Sequence, residues 1–199
     1  MSGWHQKDNY VFFAMGRSGS TTLDNVGFEN IIPDFDLEFK LINFYLRDKD
    51  LEPVVFIRHP LDRFYSGMFQ FIMHTCNDLD LKVTPDEDQW VKLWNTFLRL
   101  LNFDRGHPIF IDNEFYHMGS YLNELNYIEK DFIVYDTIDM SRVLKDLVNV
   151  DTNKHNRTTN YMYNGVFKRT FEKTSHKQNV LNWLQPEINQ YQKIMEEKG

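Results

Sequence analysis

Tyr10-Val-Phe-Phe-Ala-Met-Gly-Arg-Ser-Gly-Ser-Thr-Thr-Leu23 opens on an unbroken apolar run, turns through glycine and hydroxyl residues, and then becomes compatible with a helix. A short apolar run closed by a glycine turn predicts a buried strand over residues 10–15. A helix is expected from Ser20 to about Phe28. A strand, a glycine turn and a helix start in that order build a cradle for an anion, because main-chain N–H groups at a helix start point at one place. Arg17 and the hydroxyls of Ser18, Ser20, Thr21 and Thr22 would face the same anion. A Walker A loop is excluded, because that motif needs Gly-Lys-Ser/Thr and here Ser20 follows Gly19 directly. The plainer alternative is a tight turn with a polar helix cap.

A second constellation has the same design. Pro53-Val-Val-Phe-Ile57 predicts another buried strand, and Arg58-His-Pro-Leu-Asp-Arg63-Phe-Tyr-Ser66 follows it. Pro60 suits the first position of a helix, and Asp62 falls in that helix's first turn, where a carboxylate suits the dipole. Arg63 and Ser66 are three apart and share a helix face. A guanidinium beside a hydroxyl suits a terminal phosphate. Parallel sheets bind ligands at the carboxyl ends of their strands, so both constellations are expected at one crevice. The plainer alternative makes Arg58 and Arg63 surface residues paired with Asp62.

Elsewhere the chain alternates strand and helix patterns. Asn30–Asp36 reads as loop, and a helix over about 37–47 carries Leu37, Leu41, Phe44 and Tyr45 on one face. Residues 76–87 read as an exposed loop, and 86–101 as an amphipathic helix whose Trp90, Trp94 and Phe97 stripe is expected in the core. A strand is expected at 131–135, a helix at 141–148 and a polar loop at 149–163. The last helix, about 175–197, should be broken by Pro186. The alternation predicts an α/β fold with a parallel sheet, in a single domain over residues 1–199.

Composition narrows the function. Apolar residues make up 42% of the 199, enough for a filled core, so a disordered chain is excluded. A net charge of −7 with scattered basic residues argues against a protein that coats nucleic acid. Cys76 is the only cysteine, which rules out an intrachain disulfide and a cysteine zinc site, and it reads as an inert thiol. The histidines lack metal-ligand spacing, and no metal is expected. No secretion signal or membrane-length apolar run is read, so a soluble cytoplasmic protein with no membrane partner is the expectation, and the sequon at Asn156 is taken as chance. Oligomeric state is left open.

The two constellations together resemble the signature motifs of sulfotransferases that use 3′-phosphoadenosine 5′-phosphosulfate (PAPS). Gly16-Arg-Ser-Gly-Ser-Thr-Thr-Leu23 is similar to their 5′-phosphosulfate loop, in the form found in carbohydrate and tyrosylprotein sulfotransferases. Val55-Phe-Ile-Arg-His-Pro-Leu-Asp-Arg-Phe-Tyr-Ser66 resembles their 3′-phosphate motif. The likeness is specific over residues 10–23 and 54–66 and extends in outline over the rest. It implies a P-loop-like three-layer fold with a central, mostly parallel sheet flanked by helices. It also implies sulfuryl transfer from PAPS to a hydroxyl of a carbohydrate, protein or small molecule, leaving 3′-phosphoadenosine 5′-phosphate (PAP), without a metal.

The resemblance assigns donor contacts to Arg17, Ser18, Gly19, Ser20, Thr21, Thr22, Arg58 and Ser66. Arg17 becomes the group that stabilises the leaving oxygen. Glu38 sits where some members carry a catalytic glutamate, with Lys40 close behind, whereas no histidine lies between the motifs before His59. Asp34, Asp36 and His74 are rival bases. Tyr121, Tyr135 and Phe167 are candidates to stack on adenine. Two alternatives stay open. One is a nucleotide kinase of related fold, which the missing lysine and the lack of a clear Walker B aspartate disfavour. The other is a non-catalytic protein that binds PAPS or PAP.

Overall fold

The computed structural model describes residues 3–14, 20–32, 38–84, 86–105, 108, 121–152 and 161–198. The chain forms two compact units, interleaved in sequence. The first comprises Met1–His59, Ser120–Arg157 and Asn189–Gly199, and the second Pro60–Gly119 and Thr158–Ile188.

The first unit is built on a five-stranded sheet: β1 (Gly3–Lys7), β2 (Tyr10–Ala14), β3 (Glu29–Ile32), β4 (Glu52–Ile57) and β5 (Ile133–Asp136), in the order β3-β1-β2-β4-β5. β2, β4 and β5 pair in parallel, as the buried apolar runs predict. β1 pairs antiparallel with both β2 and β3, so the sheet is mixed. Parallel pairing is therefore confined to the β2-β4-β5 half, and β1 alone runs against the other strands. β1 is joined to β2 by Asp8-Asn9, where Asp8 takes φ 53°, a left-handed conformation that aspartate tolerates.

Side chains alternate across the sheet, so each strand feeds two cores. Trp4, Phe13, Val55, Ile57 and Val134 face one side, under Ile42 and Leu46 of α2 (Glu38–Lys49) and Leu122 and Leu125 of a short 3-10 turn. Phe12, Ala14, Val54 and Phe56 face the other, under Leu23 of α1 (Ser20–Asn25) and Val143 and Leu144 of α5 (Met140–Val148). Helices cover both faces, which is why Val11–Ala14 and Val54–Ile57 are apolar without interruption and wholly buried.

The second unit is helical: α3 (Pro60–Asp78), α4 (Glu87–Leu100), α6 (Tyr161–Phe171) and the first part of α7 (Lys177–Lys198). Asp86 caps α4 by accepting a 2.7 Å hydrogen bond from the Gln89 N–H. Trp90, Trp94 and Phe97 are core, as expected. Trp94 stacks on Phe167 at 4.3 Å and donates its indole N–H to the Phe167 carbonyl at 3.0 Å. Cys76 is buried in the same core, and burial pushes its thiol pKa up, which keeps it unreactive near neutrality.

Four local expectations are corrected. Asn30–Ile32, read as part of a loop over Asn30–Asp36, belong with Glu29 to the edge strand β3, because pairing with β1 outweighs the lack of an apolar pattern. α1 stops at Asn25 rather than near Phe28, since Gly27 at φ 75° turns the chain out of the helix. On α2 the buried face is Ile42, Asn43 and Leu46, while Leu41 and Phe44 are exposed. Pro186 does not break α7: it and Asn182, whose carbonyl loses its partner, are both exposed, so water can satisfy that carbonyl.

Arg63 also departs from expectation. It is 2% exposed and pairs with Glu187, 5% exposed, inside the second unit's core, while Asp62 pairs with Lys168 at 2.6 Å. Burial pushes the Glu187 carboxyl above its ordinary range, against the pull of Arg63. A guanidinium stays charged, so removing either partner strands a polar group in an aromatic core. Arg63→Ala should therefore destabilise the protein by about 3–5 kcal/mol in urea unfolding. Replacing the pair together, as R63M/E187L, should recover most of that loss; no recovery would show that the pair is worth more than its mutual compensation.

Candidate functional site

β2 and β4 are neighbours in register, with Tyr10 opposite Glu52 and Ala14 opposite Phe56. The segments that follow them therefore leave the sheet at the same edge, one from Ala14 and the other from Ile57. β5 adds a third strand end there, with Ile57 opposite Asp136.

The sequence-derived site residues divide by what the structure describes. Arg17, Ser18 and Gly19 lie outside the described residues, as do Asp34 and Asp36. Ser20 and Thr21 are the first two residues of α1, and the half-buried Thr22 follows in the same turn. α1 therefore starts where the cradle requires a helix start. Glu38 is the first residue of α2. Arg58 is half-buried immediately past β4. Ser66 is half-buried on α3, in the second unit.

Two expectations do not survive. Arg63 is spent on Glu187 and has no exposed surface to offer a phosphate. Phe167 is fully buried against Trp94, so it cannot stack on adenine. Tyr135 packs against Phe56 at 6.3 Å between ring centroids, and the Tyr121 side chain lies outside the described residues. His74 is exposed on α3, with its ring nitrogen 3.4 Å from the Gln70 amide.

The structure adds residues that sequence reasoning missed. Thr137 donates its hydroxyl to the Ile57 carbonyl at 2.8 Å, tying the end of β4 to the start of the 3-10 turn Thr137–Asp139. Asp136 caps that turn by accepting from the Ile138 N–H at 2.8 Å. Its other carboxylate oxygen accepts from the Tyr191 hydroxyl on α7. The Tyr191 ring meets the His59 ring edge to face, with centroids 5.3 Å apart. Asp136 is thus an aspartate at a strand end, the feature the kinase alternative lacked. Both its oxygens are already engaged, one as a cap and one by a tyrosine. The Asp-Thr-Ile-Asp run was the available signal, since an aspartate two residues before a backbone N–H is a turn cap.

Beneath α1 lies His5 of β1, 1% exposed, with Nε2 at 3.5 Å from the Asp24 carboxylate. Burial lowers the His5 pKa from its ordinary value, and Asp24 partly offsets this. His5 also stands 3.2 Å from where a Cβ on Gly3 would sit, so any larger residue there would press the His5 ring by a few tenths of an ångström.

No protein-family model, curated protein or solved structure matches this chain. Among the described residues no group of three or more histidine, cysteine, aspartate or glutamate side chains is placed to hold a metal ion. No helix among them is long and apolar enough to cross a membrane.

The His5 burial has a measurable consequence. With a lowered pKa in the fold, the unfolded chain takes up a proton near pH 6.5 that the folded chain refuses. Stability should be unaffected by His5 above that value and should fall as the pH drops below it. In denaturant titrations from pH 7.5 to 5, His5→Gln should show a shallower decline than the wild type. Parallel pH profiles would contradict the assignment.

Proposed function

We propose that this chain is a PAPS-dependent sulfotransferase with a P-loop-like fold that moves a sulfuryl group to a hydroxyl acceptor. The observation that carries the reading is the register of β2 and β4. The two segments similar to the donor motifs follow, in sequence, the ends of adjacent parallel strands, and the first of them is followed by α1 at Ser20. That is the arrangement a donor with phosphates at both its 3′ and 5′ positions asks for. The missing Walker lysine favours this donor over a nucleoside triphosphate.

In the proposed reaction the acceptor oxygen attacks sulfur in line with the bridging oxygen of the 5′-phosphosulfate. A new S–O bond forms as the bridging S–O bond breaks, and its electron pair stays on the phosphate of PAP. Arg17 and the N–H groups opening α1 stabilise that developing charge. Ser18, Gly19, Ser20, Thr21 and Thr22 hold the 5′ end, and Arg58 holds the 3′-phosphate. Ser66 joins them on the motif alone. Glu38, first residue of α2, takes the acceptor's proton.

The test is a thermal-shift titration. PAP at saturating concentration, about 100 times its dissociation constant, should stabilise the fold by about 2.7 kcal/mol, seen as a rise in Tm. ATP and ADP should give little shift at the same concentration. Stabilisation by ATP but not by PAP would reject the reading in favour of a triphosphate ligand.

A further inference from the structure

Arg58 has its chain neighbours held on both sides by described contacts. The residue before it, Ile57, has its carbonyl bound by the Thr137 hydroxyl at 2.8 Å. The residue after it, His59, has its ring against the ring of Tyr191. Tyr191 is itself fixed by donating to Asp136, and Asp136 is fixed by its cap on the Ile138 N–H. These contacts come from two elements remote in sequence, the β5 end and α7. All of them belong to the first unit.

A strand end normally gives way to a freely varying loop, and an arginine side chain has many rotamers to lose on binding. Fixing the main chain at the arginine beforehand lowers the ordering cost at the moment of binding, so that more of the guanidinium's attraction is realised. We infer that Thr137, Tyr191 and Asp136 are positioning residues that hold Arg58 for a phosphate and so set selectivity for a 3′-phosphorylated nucleotide. This rests on the donor reading above and extends it to residues that do not touch the nucleotide. Thr137 restrains the peptide entering Arg58, and the Tyr191–Asp136 pair restrains the peptide leaving it through the His59 ring.

The experiment compares T137V, T137S, Y191L and Y191F in the full chain. Affinities for PAP and for 5′-AMP are measured by calorimetry, and the Arg58 Nε–Hε signal, assigned with R58K, is followed by NMR. T137V is nearly isosteric and loses only the hydroxyl, while T137S keeps it. Y191F keeps the ring and loses the bond to Asp136, while Y191L loses both.

Loss of one hydrogen bond's worth of positioning should weaken PAP binding about tenfold in T137V and Y191L, with 5′-AMP binding changed less than about twofold. The Arg58 signal should broaden in both. T137S should match the wild type and Y191F should lie between. An equal loss for the two nucleotides, or a sharp and unshifted Arg58 signal in both T137V and Y191L, would overturn the inference and leave these contacts as general scaffolding. If the wild type binds neither nucleotide, the donor reading fails. The Arg58 signal then decides the positioning claim by itself, broadening in T137V and Y191L supporting it and no change refuting it.

Discussion

The parallel pairing of β2 with β4 is the constraint on which the first unit depends. Both strands are apolar at every position from Val11 to Ala14 and from Val54 to Ile57, and all eight side chains are excluded from water. A strand buried on both faces must sit in the middle of a sheet with helices on either side. A slip of one residue in their register would turn every side chain to the opposite core, so the register is strongly determined. That register sets Ala14 beside Phe56, so that β2 and β4 end side by side, with Arg58 just past the end of β4.

This is also why that part of the fold could be read directly from the sequence. β2, β4 and β5 announce themselves as apolar runs closed by turn residues, and Asp86 and Pro60 announce helix starts through caps and a fixed φ. β1 and β3 carry no such signal. Gly-Trp-His-Gln-Lys has one large apolar residue, Trp4, which is nevertheless fully buried against Phe13, with ring centroids 4.3 Å apart. Glu29-Asn-Ile-Ile32 reads as polar then apolar without alternation. Both strands owe their existence to partners supplied by the fold. The buried face of α2 differs from the expected one for a related reason: Leu41 and Phe44 are as apolar as Ile42 and Leu46, and only the position of the sheet decides which pair is buried. A proline inside a helix usually breaks it, but at Pro186 the helix continues, and the orphaned Asn182 carbonyl can meet water.

The candidate site divides in the same way. Motif residues, their order and their positions after strands came from the sequence alone. The supporting contacts did not, because Thr137 and Tyr191 lie about eighty and more than a hundred residues from the strand end they hold, and no local pattern links them. Arg63 shows the opposite hazard. Spacing placed it on a helix face with Ser66, where a phosphate ligand was plausible, yet the core claims it through Glu187. In a chain with a net charge of −7 and many cations already paired, as Lys168 is with Asp62 and Lys173 with Glu87, an anion site has few cations to draw on. For the proposed donor site, the position of Arg58 at the carboxyl end of β4 therefore matters more than the number of basic residues.

In the proposed function, the carboxyl ends of β2 and β4 receive a nucleotide bearing phosphate at both its 3′ and 5′ positions. A crystal structure of the protein with PAP tests it most directly. In that crystal the 3′-phosphate should lie within hydrogen-bonding distance of the Arg58 guanidinium and the 5′-phosphate against the main-chain N–H groups that open α1. PAP bound away from the β2 and β4 ends, or bound there with neither phosphate meeting Arg58, would contradict it.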